Sequence, residues 1–155
     1  MRKWHCFLVM CPVNFKDINF IQGIEHMKIM LIDRDRAFVE EIEALCKTTP
    51  EIDLTIEPIK NNAIEAIRSQ QFDAVFFDPA PQNDEMRALI IGARRGNPFY
   101  TPIILMSHQL SYEEAIKAGA NDYLKKPFDA DAFQEKIRNL KNLASLNKKL
   151  QDESV

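Results

Sequence analysis

The sequence predicts an α/β fold, a parallel β-sheet with helices packed on both of its faces. Three observations predict it. Short apolar runs alternate along the chain with longer segments in which apolar residues recur at helical spacing. This alternation of strand and helix repeats five times. Most of the short runs are apolar without a break, as expected of strands that are buried on both faces of a parallel sheet.

Five strands are predicted from the short runs. The first is apolar and bounded by charged residues, the second alternates apolar and polar residues, and the last three are brief buried runs. They span residues 28–32, 53–57, 74–77, 103–106 and 123–125.

The helices are predicted from their apolar stripes and from the residues that begin or end helices. Residues 35–47 carry the first stripe, and the residues at 48–50, Thr-Thr-Pro, end it. Asn61 caps the second helix, and the third runs over residues 84–95 and ends near Gly96.

The fourth helix opens with a capping box. Ser111 and Glu114 have the spacing at which each side chain bonds the backbone N–H of the other residue. Gly119 ends this helix, and the last helix begins near Asp131.

The composition is that of an ordinary globular domain, with 155 residues, 46% hydrophobic and 28% charged, and a net charge of −3. The slightly acidic balance lacks the basic footprint of a nucleic-acid-binding protein, and no apolar run approaches the length of a membrane span. The four glycines form no phosphate-binding motif. The three cysteines, Cys6, Cys11 and Cys46, predict neither a disulfide framework nor a zinc site, so we expect a cytoplasmic protein.

The chain is predicted to hold one domain with two short additions. Residues 1–26 break the alternation and form an N-terminal extension, either native or an upstream in-frame translation ahead of Met27. Residues 27–146 form the domain, and residues 147–155 form a C-terminal tail. We expect a monomer or weak dimer, because the coiled-coil pattern of the last helix lasts about two heptads.

Polar residues collect where the predicted strands end. Asp33 follows the first strand and Asp78 the third, while Ser107 and Lys126 follow the fourth and fifth. Because the carboxyl ends of parallel strands meet at one edge of the sheet, these side chains are expected to lie together. Asp78 would be a nucleophile, with a metal held near Asp33. The hydroxyl of Ser107 and the ammonium of Lys126 would hold a phosphoryl group.

Three motifs make a resemblance specific. Residues 72–78, FDAVFFD, approach Asp78, and residues 103–107, IILMS, end in Ser107. Residues 118–128, AGANDYLKKPF, end in a characteristic Lys-Pro-Phe. With these motifs the chain resembles the receiver (CheY-like) domain of two-component response regulators over about three quarters of its length.

The resemblance implies a flavodoxin-like, doubly wound (βα)5 sheet of strand order 2-1-3-4-5. It implies Asp78 as the phosphorylation site, Ser107 and Tyr123 as a switch pair, and Lys126 as the phosphate partner. It also implies a cis bond between Lys126 and Pro127.

The chain departs from the family pattern around the acidic pocket. The family usually carries two adjacent acids after the first strand, but here Asp33 is followed by Arg34. The metal ligands implied by the resemblance are Asp33, Asp78 and the backbone carbonyl of Ala80, in a loop that is one residue short. His108 stands where the family prefers a small residue. We therefore expect weakened Mg²⁺ binding, with Arg34 paired to Asp78.

Three functions are weighed. The first is a stand-alone receiver, not an enzyme, that accepts a phosphoryl group on Asp78 from a histidine kinase or phosphotransfer protein. It would signal to a downstream protein through the face of the fourth helix, fifth strand and fifth helix, without nucleic acid or membrane. The second is a pseudo-receiver that is not phosphorylated, because Arg34 replaces a metal-binding acid. The third is a flavin- or nucleotide-binding protein of similar topology, for which the chain lacks the phosphate loops.

Overall fold

The computed structural model describes residues 26–58, 60–70, 72–79, 83–95 and 101–153. Five parallel strands form one sheet in the order β2-β1-β3-β4-β5, which confirms the predicted fold class and strand order. The strands are β1 (Met27–Ile32), β2 (Ile52–Ile56), β3 (Ala74–Phe77), β4 (Ile103–Ser107) and β5 (Asp122–Lys125).

Five helices connect or follow the strands. They are α1 (Arg36–Lys47), α2 (Lys60–Ser69), α3 (Asn83–Arg94), α4 (Tyr112–Lys117) and α5 (Ala130–Glu153). Several predicted bounds differ from the observed ones by one or two residues. The helix α2 begins at Lys60, so Asn61 lies inside it, and α3 spans 83–94 instead of 84–95. Three strands, β1, β2 and β5, begin one residue earlier than predicted. The predicted N-terminal extension lies outside the described residues except for His26.

The core lies in two layers because successive residues of a strand point to opposite faces of the sheet. One layer joins the sheet to α2, α3 and α4, and the other joins it to α1 and α5. In β3, for example, Val75 and Phe77 belong to the first layer and Phe76 to the second. All four residues of β3 are buried, which explains why its sequence is apolar without a break.

Short polar contacts fix where the helices begin. The side chain of Asp35 is the N-cap of α1 and accepts hydrogen bonds from the backbone N–H groups of Ala37 and Phe38. The predicted capping box of α4 is confirmed, with both Ser111 and Glu114 bonding each other's backbone N–H. A positive φ of 105° at Gly119 ends the turn after α4, a backbone conformation that favours glycine.

The last helix has one buried face and one exposed face. Phe133, Ile137 and Leu140 pack in the core, as their spacing predicts. Leu143, Leu146 and Leu150 are 55–65% exposed, and the helix continues through the predicted domain boundary at residue 146 as far as Glu153. Over the residues that the structure describes, no helix combines the length and the apolar character needed to cross a bilayer.

Candidate functional site

The topology brings two carboxylates to neighbouring strand ends. The chain leaves β1 on one side towards β2 and returns to β3 on the other, so β1 and β3 are adjacent and parallel. The backbone N–H of Asp78 donates to the carbonyl of Ile32 at 2.9 Å, which carries the pairing past the end of β3. Asp33 and Asp78 therefore leave the sheet side by side at its carboxyl edge, as predicted.

Lys126 joins the two carboxylates. Its Nζ lies 2.5 Å from Oδ2 of Asp33 and 2.5 Å from Oδ2 of Asp78. The side chains of Lys126 and Asp33 are each 2% exposed, whereas that of Asp78 is 23% exposed. Charge-assisted bonds at this distance are strong, and removing one partner of a buried pair is costly. The geometry gives one buried ammonium, one buried carboxylate and one carboxylate that solvent can reach.

Both oxygens of Asp33 are engaged. Oδ1 accepts a hydrogen bond from the backbone N–H of Asp35 at 2.8 Å, and Oδ2 accepts from Lys126. The first of these bonds turns the chain from β1 into the cap of α1. Asp33 thus holds the loop as well as the ammonium, and it has fewer lone pairs to offer another ligand.

Burial raises the pKa of the Asp78 carboxyl above its ordinary value, and the negative charge of Asp33 adds to that effect. The hydrogen bond and the charge of Lys126 oppose it, as does the charge of His108. Burial and the neighbouring cations thus act in opposite directions on the pKa of one partly buried carboxyl group. Perturbation of this kind is typical of functional carboxylates.

Ser107 and Tyr123 are tied together on the next two strands. The Ser107 Oγ accepts hydrogen bonds from the backbone N–H groups of Gln109 and Leu110, at 3.0 and 3.2 Å. The Tyr123 hydroxyl donates to the carbonyl of Ser107 at 3.0 Å and to the carbonyl of Leu110. Tyr123 is buried, and burial raises the pKa of its hydroxyl. Both residues therefore hold the loop between β4 and α4.

Phe38 is a site neighbour that the sequence pattern did not reveal. The Nζ of Lys126 lies 3.7 Å from the centroid of the Phe38 ring, over its face. In the sequence, Phe38 reads as part of the apolar stripe of the first helix. A signal was nevertheless present: the residue lies in the first turn of a helix that starts at the carboxyl edge of the sheet.

The predicted ion pair between Arg34 and Asp78 is not the arrangement found. Asp78 pairs with Lys126, and Arg34 is exposed. Arg34 lies between Asp33 and Asp35, whose backbone N–H donates to Oδ1 of Asp33. His108 is also exposed, and it acts on Asp78 through its charge. Ala80, the predicted carbonyl ligand, lies outside the described residues.

The described residues offer an incomplete set of ligands for Mg²⁺. This ion prefers oxygen ligands in octahedral geometry and is usually held by carboxylates together with water. Within the described ranges, no cluster of three or more His, Cys, Asp or Glu side chains could hold a metal ion. The two carboxylates present are both bonded to Lys126. The described part of the pocket therefore holds one ammonium between two carboxylates.

Sequence comparison finds response regulators. No family model matches the chain. It is 29% identical over 113 residues to the transcriptional regulatory protein ZraR of Escherichia coli, covering 71% of this chain and 25% of that protein. It is 33% identical over 85 residues to the transcriptional regulatory protein CrdR of Helicobacter pylori, covering 52% and 39%. The chain thus spans between a quarter and two fifths of the length of these relatives.

Structure comparison finds receiver domains. The receiver domain of a sensor histidine kinase from Pseudomonas aeruginosa, determined with a magnesium ion coordinated in its active-site cleft, matches with a TM-score of 0.60 at 24% identity. The match covers 74% of this chain and 97% of that domain. The chain therefore has the fold of the receiver domains of two-component response regulators, and its resemblance to them is confirmed.

Proposed function

We propose that this chain is a phospho-accepting receiver whose acceptor is Asp78. The donor is a histidine kinase or a phosphotransfer protein in the cytoplasm, and the output is binding of a downstream protein. One observation carries the proposal: of the two carboxylates that share the Lys126 ammonium, only Asp78 keeps an exposed fraction, 23% against 2% for Asp33.

Asp78, Lys126 and Ser107 have different roles in the phosphoryl transfer. An Asp78 carboxylate oxygen attacks the phosphorus of a phosphohistidine, an O–P bond forms, and the P–N bond breaks with its electron pair left on the imidazole nitrogen. The transferred group brings new negative charge to the pocket. The Lys126 ammonium, already beside Asp78, stabilises that charge, and the hydroxyl of Ser107 donates to a phosphoryl oxygen.

The output follows from the contacts that Ser107 makes. Its Oγ now holds the loop before α4, and Tyr123 bonds two carbonyls of the same loop. A Ser107 hydroxyl drawn to a phosphoryl oxygen would loosen that loop. The surface formed by α4, β5 and α5 would then change, and with it the affinity for the downstream protein.

A pseudo-receiver is the second candidate, and two observations favour it. Arg34 stands where a second acid would complete the metal site. Both oxygens of Asp33 are already engaged within the protein. A domain of this kind would keep the fold and the output face and would bind partners without phosphorylation.

Phosphorylation by a small donor decides between the two. The full chain is incubated with acetyl phosphate, once with Mg²⁺ and once with EDTA, and its intact mass is measured. We expect the gain of one phosphoryl group in at least one condition, lost in Asp78→Asn and kept in the matched control Asp53→Asn, an exposed aspartate of β2. No gain in either condition supports the pseudo-receiver. A gain that persists in Asp78→Asn refutes the assignment of the acceptor.

A further inference from the structure

The ring of Phe38 covers the Lys126 ammonium, the cation that stabilises the phosphoryl group in the proposed transfer. Its centroid lies 3.7 Å from the Nζ of Lys126. We propose that Phe38 is a positioning residue, whose ring face holds the Lys126 ammonium between the two carboxylates so that it meets the phosphoryl group formed on Asp78. The inference rests on the proposed function and assigns this residue its part in it.

The contacts of the ammonium support this role. Lys126 has three N–H donors, and its hydrogen bonds go to Asp33 and Asp78. The ring provides the third contact, in a setting where the lysine side chain is 2% exposed. A cation over an aromatic face is stabilised most when it is removed from water.

The Phe38 ring is itself held by a chain of aromatic contacts. Phe128 meets it at 86° with centroids 5.3 Å apart, and Phe128 stacks on Phe133 at 6.3 Å. Phe133 in turn contacts Phe76 at 5.3 Å. Phe76 is in β3, two residues before Asp78, so the chain of rings links the helix that carries Phe38 to the strand that carries the acceptor. The ring cannot drift from the ammonium without disturbing this packing.

An aromatic partner suits this place because it carries no net charge. A third carboxylate would also hold the ammonium, but it would repel the incoming phosphoryl oxygens. The ring quadrupole stabilises the cation and leaves the pocket's charge unchanged. Phe38 therefore lets Lys126 remain buried and charged while it is available to an anion.

Fluorination of the ring tests the proposal, since it withdraws charge from the ring face while nearly preserving its shape. Phenylalanines with one, two and three fluorines are introduced at position 38 in the full chain. The same series at position 72, a buried ring that belongs to the other core layer, is the matched control. Urea unfolding and the initial rate of phosphoryl gain from acetyl phosphate are measured for each protein.

We expect the unfolding free energy and the phosphorylation rate both to fall stepwise with fluorine number at position 38. With three fluorines the unfolding equilibrium constant should rise about tenfold. Neither stability nor rate should depend on fluorine number at position 72. Phe38→Tyr should keep the rate, and Phe38→Leu should lower it.

The unfolding and rate measurements distinguish a failure of the proposed function from a failure of the proposed role of Phe38. A parent that gains no phosphoryl group overturns the proposed function, and the unfolding series alone then decides whether the ring holds the ammonium. If the unfolding free energy does not change with fluorine number at position 38, the stabilising contact between Phe38 and Lys126 is refuted. If stability falls but the rate of an active parent does not, the positioning role is refuted.

Discussion

Asp78 carries its charge in the folded protein at a cost. Burial, the largest influence, raises the pKa of its carboxyl above the ordinary 3.8. The folded state therefore binds the proton more tightly than the unfolded chain, and the stability that protonation contributes is lost as the pH rises through the raised pKa. Asp78→Asn keeps the neutral form at every pH. We expect the unfolding free energy of this variant, relative to that of the parent, to rise as the pH rises through that window.

Urea unfolding at a series of pH values, with EDTA present, measures this difference. The unfolding free energy of the variant minus that of the parent should increase above the ordinary pKa. It should level off once Asp78 is fully ionised in the folded state. The exposed control Asp53→Asn should show no such increase. A difference that decreases as the pH rises would mean that Lys126 outweighs burial at this carboxyl.

The neighbouring positions of Asp33 and Asp78 could be predicted from the sequence, but the cation that pairs with Asp78 could not. A strand end has a position fixed by the backbone, so Asp33 and Asp78 could be placed together from the pattern of strands. Arg34 and Lys126 are both cations at that edge, and the pattern cannot rank them. In the structure the Lys126 ammonium makes the ion pair with Asp78, and Arg34 is exposed. Such a pairing is a matter of side-chain geometry that spacing does not encode.

The start of α4 depends on its capping box. The helix has only six residues, so the bond between the Ser111 side chain and the backbone N–H of Glu114 satisfies a large share of its free donors. We expect Ser111→Ala to cost about 1 kcal/mol of unfolding free energy. Amide hydrogen exchange should increase more in α4 than in the other elements when the variant is compared with the parent.

Ser145→Ala is the matched control, because Ser145 is an exposed residue inside α5 and alanine is the better helix former. Its unfolding free energy should stay the same or rise slightly. Equal losses in both variants would show that the capping box adds nothing specific.

The two faces of α5 should respond differently to truncation. Ile137 is buried in the core layer next to α1, and Leu146 is 55% exposed. We expect Ile137→Ala to lose about 2–4 kcal/mol of unfolding free energy. Leu146→Ala should stay within about 0.5 kcal/mol of the parent. Denaturant unfolding at two protein concentrations measures both.

A large, concentration-dependent loss for Leu146→Ala would contradict the expected monomer or weak dimer. It would show that a second copy covers this face of the helix.

The two ends of α4 were predicted well from the sequence. Ser111, Glu114 and Gly119 act through their own neighbours in the chain, so their role is visible in spacing alone. The start of α2 was misplaced by such a local signal: Asn61 is a strong N-cap residue and Lys60 is not, yet α2 begins at Lys60.

The order of the strands could not be derived from the pattern of elements. Alternating strands and helices indicate a parallel sheet, but they do not say which strands are neighbours. The order 2-1-3-4-5 came from the resemblance of motifs such as residues 118–128, and the structure confirms it. That order makes β1 and β3 neighbours and so creates the carboxyl-edge pocket in which Asp33 and Asp78 share Lys126.

The charge of this pocket should decide how the whole molecule responds to Mg²⁺. Asp33, Asp78 and Lys126 carry charges that sum to −1, and the exposed Arg34, next to Asp33 in the chain, brings the sum to zero. A neutral pocket attracts a divalent cation weakly, so we expect Mg²⁺ to leave the unfolding free energy of the parent almost unchanged. Arg34→Asp shifts the charge by two units. Each unit is worth about 4 kcal/mol at ~4 Å and an effective dielectric of ~20, and much less on an exposed side chain, because solvent screens it.

The Arg34→Asp variant should therefore gain stability from Mg²⁺, because a ligand that binds only the folded state adds about 2.7 kcal/mol at a hundred times its dissociation constant. Thermal or urea unfolding across a Mg²⁺ titration measures this gain. Arg36→Asp is the matched control, since it makes the same charge change on a side chain that is 92% exposed and pairs with Glu40. If Arg36→Asp gained as much as Arg34→Asp, the effect would be one of general charge. A parent already stabilised by Mg²⁺ as strongly as Arg34→Asp would show that the neutral pocket binds the ion despite its charge.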